Sequence, residues 1–342
     1  MTPADRRAVA AWLFLCAALV FAIVVVGGAT RLTRSGLSIV EWQPLVGALP
    51  PLSAADWEAL FARYRETPEF RLVNFDMTLE GFKRIFWWEY AHRLLGRLIG
   101  MVFLLPFLYF LLRRKLETAL AWKLGGVFLL GGAQGALGWY MVKSGLVDDP
   151  RVSHFRLTAH LGLALAIFSA QLWLALQLLS PRPIAFRKLA IAMPFVVFAM
   201  ALSGGMVAGL RAGAAYNTFP LMNGHVVPPE ILMLEPWWRN FLYNMATVQF
   251  VHRAFFWALA LLVAAAWWRE RASLPAQLLL AAFVLQASLG IATLLLGVPV
   301  ALGAAHQAGA VLVLAAALWN AHSSAPAQPL QYGPRFSPTG DS

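Results

Sequence analysis

Four of the seven histidines lie inside long apolar stretches rather than in polar segments. Each lies a few residues from one end of its stretch: His92, His160, His252 and His306. An imidazole without a partner in the hydrocarbon of a bilayer is unfavourable by roughly 2–7 kcal/mol. Four histidines at equivalent depths therefore need a common explanation, either hydrogen bonding between helices or ligation of a metal centre.

The stretches that carry these histidines are long enough to cross a membrane. Of the 342 residues, 60% are hydrophobic, which is more than a soluble domain of this length buries in one core. Apolar runs of about 20 residues predict an all-α integral membrane protein with eight transmembrane helices. The predicted spans are 10–28, 87–112, 119–142, 155–179, 189–210, 246–268, 275–297 and 300–320.

The positive charge of the chain indicates how these spans are oriented. The formal net charge is +11, and basic residues concentrate in the short connections 113–115, 182–188 and 269–271. By the positive-inside rule these connections are cytoplasmic, and so are both termini of a chain with eight crossings. We therefore expect a multi-pass protein of the cell inner (plasma) membrane, with no nucleic-acid partner.

An internal repeat relates the two halves of the chain. The sequence VFAIVVVGG at 20–28 recurs as VFAMALSGG at 197–205, and His92-Arg93 recurs as His252-Arg253. Two further pairs follow in the same order, 134–138 with 286–290 and 158–160 with 304–306. We therefore predict two tandem, pseudo-symmetric four-helix bundles of the same orientation, at 1–180 and 181–320, followed by a disordered cytoplasmic tail at 321–342.

The repeat favours haem as the common partner of the histidines. It gives each bundle one histidine pair on alternate helices, which is the arrangement that bis-histidine ligation of an iron porphyrin requires. A non-haem metal site normally recruits carboxylates as well, and the predicted bundles contain almost none. Satisfied core histidines and hydrogen bonds between helices are the structural alternatives.

Glu89 is the exceptional carboxylate, because it precedes His92 by three residues and shares its helix face. It is predicted to act as a proton carrier or electrostatic stabiliser beside the first haem, and the alternative is an ion pair with Arg93 or a loop arginine. The corresponding residue of the second half is Gln249. This inequality marks the first bundle as the reactive one.

Arg93 and Arg253 directly follow two of the predicted ligands. They are candidates for contacts with haem propionates, and the alternative is that they extend to the membrane interface. His154, His225 and His322 are not assigned to ligation, because they lie near a boundary, in a loop and in the predicted tail. Cys16 is the only cysteine, so an intramolecular disulfide is impossible.

The long connection 29–86 is rich in aromatic and charged residues, and we expect it to form an ordered cap outside the membrane. Within it, residues 53–56 have the pattern of a helix start, and the helix is predicted to continue through Arg65.

Two motifs resemble those of the haem A synthase family. EYAHR at 89–93 is similar to the Glu-x-x-His-Arg signature of that family. GGATRLTRSGLSI at 27–39, followed by EWQP at 41–44 and GALPP at 47–51, resembles its first outer loop. Many bacterial relatives carry a cysteine pair in an outer loop, and this chain has none. It therefore resembles the mitochondrial and alphaproteobacterial branch.

The resemblance implies a reaction and a division of labour between the bundles. His252 and His306 would hold a haem b cofactor, while His92 and His160 would bind the substrate haem O with Glu89 near the reacting porphyrin edge. The reaction implied is oxidation of the C8 methyl group to an alcohol and then to a formyl group, giving the haem A of terminal oxidases. The partners expected are the substrate haem O, an electron donor and the lipid bilayer, and further hypotheses are contact with a haem O synthase and formation of homo-oligomers.

Bis-histidine ligation leaves no open position on the iron. We therefore expect at least one of His92 and His160 to be labile when the substrate is bound. Two other functions are compatible with four membrane histidines. One is a dihaem b-type cytochrome that transfers electrons from quinol without altering its haem, and the other is a tandem-repeat transporter in which the histidines carry protons. The inequality of Glu89 and Gln249 and the first-loop resemblance favour the enzyme.

Overall fold

The computed structural model describes residues 1–43, 46–147, 150–182 and 188–324. Within these ranges the regular secondary structure is helical, apart from an isolated bridge between Met222 and His225. Eight helices have at least 22 residues: α1 (Pro3–Leu32), α4 (Leu79–Leu112), α5 (Thr118–Lys143), α6 (His154–Leu179), α7 (Lys188–Leu210), α9 (Met245–Glu270), α10 (Leu274–Leu295) and α11 (Val300–Ser323). Three α-helices are shorter: α2 (Ala54–Arg65), α3 (Pro68–Leu72) and α8 (Asn240–Tyr243).

Seven of the long helices described are long and apolar enough to cross a membrane: α1, α4, α6, α7, α9, α10 and α11. The remaining long helix, α5, has 26 residues, which is also a sufficient length. Its six glycines and Gln134 lower its mean hydropathy. The all-helical class is confirmed, and the count of eight spans stays a prediction.

Several helix ends differ from the predicted spans; among them, α1 ends at Leu32 instead of 28 and α9 at Glu270 instead of 268. Helix α1 begins at Pro3 instead of residue 10, and α4 begins at Leu79 instead of 87, each preceded by a threonine whose side chain caps the first turn. Helix α10 ends at Leu295 instead of 297, before Gly297 adopts a φ of 72°. Hydropathy locates only the apolar part of a helix, whereas capping decides where it begins and ends.

The helix predicted in the long connection is present. Ser53 and Asp56 form a reciprocal capping box at the start of α2, which ends at Arg65 as expected. Its Tyr64 is fully buried in an aromatic cluster with Phe82 and Phe86 of α4. The cap is therefore an ordered extension of α4, although Pro44 of the first-loop motif lies outside the described residues.

Each of the helices α1, α4, α5 and α6 contacts two others of this group, and the same holds for α7, α9, α10 and α11. The two groups meet where α6 packs on α7 and α11 and where α1 packs on α11. Small residues permit this close approach at related positions. A Cβ at Gly28 would collide with Gln307 of α11, and a Cβ at Gly205 would lie 3.1 Å from Oγ1 of Thr158 in α6.

The ends of α1, α5, α7 and α10 lie on one face of the molecule, together with the described parts of 33–78 and 211–244. We call this the cap face. Arg31 donates a hydrogen bond to the carbonyl oxygen of Ala208, and the side chain of Asn217 donates one to that of Leu294 at 3.0 Å. On the opposite face, Lys115 Nζ lies 3.3 Å from a carboxylate oxygen of Asp5.

The predicted tail begins too early. Helix α11 continues to Ser323, whose carbonyl oxygen accepts a 2.9 Å hydrogen bond from Arg182. His322 is buried against the ring of Trp173, so it is part of the packed helix rather than of a tail. Burial of this last turn against α6 explains the extension, because the polar composition alone indicates an end at 320. Residues 325–342 and Arg187 lie outside the described parts.

Candidate functional site

Each of the four predicted ligand histidines lies against a glycine of a neighbouring helix. A Cβ built on that glycine would lie within 3.2 Å of the imidazole ring in all four places. The partners are Gly27 with His92, Gly138 with His160, Gly204 with His252, and Gly290 with His306. The four glycines correspond pairwise in the sequence repeat, so the same contact occurs at related positions of the two halves.

The structure places the predicted ligands of each half near each other, and their ligation of haem iron stays a prediction. His92 on α4 and His160 on α6 are close enough to interact electrostatically, and so are His252 on α9 and His306 on α11. Nδ1 of His160 and Nδ1 of His306 are buried without a hydrogen-bond partner among the described residues. Two buried imidazoles near each other, with an unpartnered ring nitrogen in each pair, fit the ligand set of an iron porphyrin.

Glu89 accepts four hydrogen bonds, two from the cap and two from Arg93 of its own helix. Its Oε2 accepts from Ser38 Oγ at 2.7 Å and from the backbone N–H of Ile39 at 2.8 Å. Its Oε1 accepts from Nη2 and Nε of Arg93 at 2.6 and 3.0 Å. The carboxylate is 3% exposed, so these donors replace the water that it loses. The ion pair between Glu89 and Arg93, which the sequence left as an alternative, is present.

The two arginines that follow the ligand histidines hold loops of the cap face. Arg93 donates to the carbonyl oxygens of Ile39 at 2.7 Å and Glu41 at 3.0 Å. Arg253 donates to the carbonyl oxygens of Tyr216 at 3.1 Å and Leu221 at 3.2 Å. Sequence reasoning missed this anchoring role, because the acceptors are backbone atoms far away along the chain. Contact with propionates stays a prediction.

The second half repeats the anchor without a negative charge. Gln249 is 3% exposed and donates from Nε2 to the carbonyl oxygen of Tyr216 at 3.1 Å, which is also an acceptor of Arg253. The neutral amide of Gln249 contacts the loop that follows α7, whereas the carboxylate of Glu89 contacts the loop that follows α1. The difference between the halves is therefore one of charge near the histidine pair.

A second buried carboxyl, Glu69 of α3, was not singled out by its sequence. It is 5% exposed, and its Oε2 has no hydrogen-bond partner among the described residues. Burial, and secondly the charge of Glu89, raise the pKa of Glu69 to about 7, although Arg34, a hydrogen bond with Tyr64 and Arg211 act in the opposite direction. Its burial depends on the folding of α2 and α3 against α4, which no local pattern reveals.

Replacing Glu69 by glutamine should stabilise the protein in mildly alkaline solution. Because the folded protein holds the proton more tightly than the unfolded chain, stability falls as the pH rises from about 4.5 to about 7. The total effect is on the order of 3 kcal/mol. Thermal unfolding in detergent should show the variant melting above the wild type at pH 8 and close to it at pH 4.5. Glu66→Gln, in an exposed carboxyl of the same cap, is the control, and an equal advantage of Glu69→Gln at both pH values would contradict the prediction.

Comparison with known proteins places the chain in a family. The model of the COX15-CtaA family, described as cytochrome oxidase assembly protein, matches residues 10–318, from α1 to α11. The chain belongs to the COX15-CtaA family. A protein named "Heme A synthase" from Nitrosospira multiformis is 58% identical, with coverage of 93% of this chain and 94% of the relative. The protein of the same name from Nitrosomonas eutropha is 52% identical, and the match covers 92% of this chain and 93% of the relative. The one from Parvibaculum lavamentivorans is 49% identical, and the match covers 94% of this chain and 95% of the relative.

The family assignment confirms the resemblance seen in the motifs, including its alphaproteobacterial relatives. The match covers both histidine pairs and the described parts of the cap. Together with the seven candidate spans, it makes this member of the COX15-CtaA family a multi-pass membrane protein.

Proposed function

We propose that this chain is a haem A synthase, which oxidises the C8 methyl group of haem O to a formyl group and so supplies haem A for terminal oxidases. The observation that carries the proposal is the presence of two histidine pairs, each against glycines of neighbouring helices, in a member of this family. Similarity to proteins named "Heme A synthase" along nearly the whole chain supports the same reaction.

The two pairs have different tasks in this proposal. His92 and His160 hold the iron of the substrate haem O, and His252 and His306 hold a haem b cofactor. The unpartnered Nδ1 atoms of His160 and His306 support both assignments, because each pair keeps a ring nitrogen without a hydrogen-bond partner among the described residues, and the glycine contacts hold all four rings by packing. When bound, haem b supplies one-electron redox chemistry. Lability of His92 or His160 is part of the proposal, since oxidation at the substrate requires a free position on its iron.

Glu89 acts beside the first pair as an electrostatic group. It lies one helical turn from His92 and has a fixed orientation, because Ser38, Ile39 and Arg93 all donate to it. A fixed charge near the reacting centre needs no reorganisation during the reaction. The second pair has the neutral Gln249 at the corresponding position, so no carboxylate takes part there, and its haem only transfers electrons in this proposal. Arg93 and Arg253 also contact haem propionates in this proposal, besides donating to the carbonyl oxygens of the loops. The Nε of Arg253 supports this, because it has no hydrogen-bond partner among the described residues.

The membrane arrangement belongs to the same proposal. Helix α5 is the eighth span, and residues 1–180 and 181–323 form two tandem four-helix bundles of the same orientation. Contacts within each group of four helices support this division. The cap face is outside the inner membrane, and both termini are cytoplasmic. Haem O, an electron donor and lipid are the partners, while contact with a haem O synthase and formation of homo-oligomers are further hypotheses.

The test is extraction and chromatography of the haems of cells that make haem O but lack their own haem A synthase. Expression of this chain should produce haem A. Glu89→Gln should lower the haem A yield by about 10-fold or more, because loss of an electrostatic or acid–base contribution slows the reaction by about 100-fold or more, while haem binding persists. The exposed Glu66→Gln should behave like the wild type.

The other functions predict different results in the same experiment. A dihaem cytochrome would contain two b-type haems without producing haem A, and a transporter would be colourless. A normal haem A yield from Glu89→Gln would exclude a role of that carboxylate in the reaction.

A further inference from the structure

Ser203 of α7 is placed to fix the orientation of His252. Its Oγ lies 2.7 Å from Nδ1 of His252 and also 2.7 Å from the carbonyl oxygen of Met200. A carbonyl oxygen only accepts hydrogen bonds, so the single hydroxyl proton is donated to Met200. Ser203 Oγ therefore accepts the Nδ1–H of His252. This leaves Nε2 of that imidazole with its lone pair free.

The glycine next to Ser203 restrains the same ring from a second side. A Cβ at Gly204 would lie 3.2 Å from Cε1 of His252. The imidazole is thus held by a hydrogen bond at one nitrogen and by close packing at Cε1. Ligand histidines of metal sites usually have such a partner on the nitrogen that does not bind the metal, and it strengthens their ligation.

The first half lacks the hydroxyl at the related position. In the repeated segments VFAIVVVGG and VFAMALSGG, Val26 stands where Ser203 stands, and Gly27 corresponds to Gly204. Gly27 also lies against its histidine, since a Cβ there would be 3.0 Å from Nε2 of His92. A glycine contact is retained, although at Gly27 it falls on the Nε2 edge of the ring rather than at Cε1. A valine side chain has no atom that accepts a hydrogen bond.

We propose that Ser203 is a positioning residue for His252. Val26 is its counterpart in the first half, and because it accepts no hydrogen bond, His92 can dissociate from the iron. This inference rests on the proposed function and deepens it, because it gives a structural reason for one permanent and one exchangeable haem. The hydrogen bond makes His252 the stronger ligand, and its absence at Val26 favours release of His92 from the substrate.

The experiment compares Ser203→Ala, Ser203→Thr and the wild type as purified full-length proteins. Transfer of haem b to apomyoglobin should be about 10-fold faster for Ser203→Ala, which is the lower range for loss of a ligand's hydrogen-bond partner. Its midpoint potential should rise, because the weaker ligand stabilises ferric iron less. Ser203→Thr keeps the hydroxyl and should restore both values.

Ser169→Ala is the matched control, because Ser169 makes the same kind of bond to a helix carbonyl, 2.7 Å from Leu165, without contacting one of the four histidines. It should leave haem transfer and potential unchanged. In the reverse variant, Val26→Ser, added haem O should dissociate about 10-fold more slowly.

Unchanged haem transfer and potential in Ser203→Ala would overturn the role of Ser203 even if the protein makes haem A. Equal effects of Ser169→Ala would do the same, since they would point to general helix destabilisation. Unchanged haem O dissociation in Val26→Ser would overturn the part that concerns His92. A purified protein without any haem would refute the proposed function and this inference together.

Discussion

Replacing His252 by alanine should abolish stable binding of haem b and lower the haem A yield by more than about 100-fold. Loss of an axial ligand exceeds the 10–100-fold effect that follows loss of a ligand's hydrogen-bond partner. The visible spectrum of the purified variant should lack the low-spin signal of the second haem, and haem extraction should show the fall in haem A. His306→Ala should have the same effect, because both imidazoles belong to one pair.

His225→Ala is the control for this substitution. His225 is exposed on the cap face, where its backbone pairs with Met222. Its replacement should leave both the spectrum and the haem A yield unchanged. A His252→Ala variant that retains both low-spin haems would show that another residue provides the ligand, and the assignment of the second pair would then be wrong.

Adding one methyl group at Gly290 should strongly weaken haem binding at the second histidine pair. A Cβ at this position would lie 2.6 Å from Cε1 of His306, which is closer than unstrained atoms approach. The imidazole must therefore move, at a cost typical of overpacking, about 1–3 kcal/mol. When this free energy is lost from the binding of haem by His306, Gly290→Ala should weaken haem binding by about 5- to 150-fold. Haem titration of the purified variant measures the change.

The same substitution at two glycines of α5 separates crowding of a histidine from general effects on a helix. Gly138→Ala places a Cβ 3.0 Å from Cε1 of His160 and should weaken binding of haem O at the first pair. Gly135→Ala, three residues earlier, places its Cβ where nothing among the described residues lies within 4 Å. Equal haem affinity of the two variants would show that glycine contact with the ring is unimportant.

The two halves share the same glycine and arginine contacts around their histidines but differ in two polar side chains. Glycine contacts with the rings and arginine anchors of the loops occur in both. Glu89 is replaced by Gln249, and Val26 is replaced by Ser203. The first half thus has a charge beside its pair and no hydroxyl, and the second half has the hydroxyl and no charge. We propose that these two exchanges are what separates a site for reaction from a site for electron transfer.

Much of the candidate site was predictable from local patterns. Apolar runs locate long helices, because a helix of about 20 consecutive apolar residues is needed to cross the hydrocarbon core of a bilayer. The capping box at Ser53 determines where α2 begins within four residues of sequence. The repeat predicts equivalent depths for His92, His160, His252 and His306. In the structure the two histidines of each half are near each other, and their ligation of haem iron stays a prediction.

Only the tertiary structure determined which polar atoms meet. Ser38 and Glu89 are 51 residues apart in sequence, and Arg253 finds the carbonyl oxygen of Tyr216 37 residues away. The contact of Gly290 with His306 and the hydrogen bond that Ser203 accepts from His252 likewise join separate helices. Glu69 is buried for the same reason, because separate helices pack around it. Hydropathy and capping are local properties of the chain, whereas the partner of a buried polar group depends on how whole helices pack.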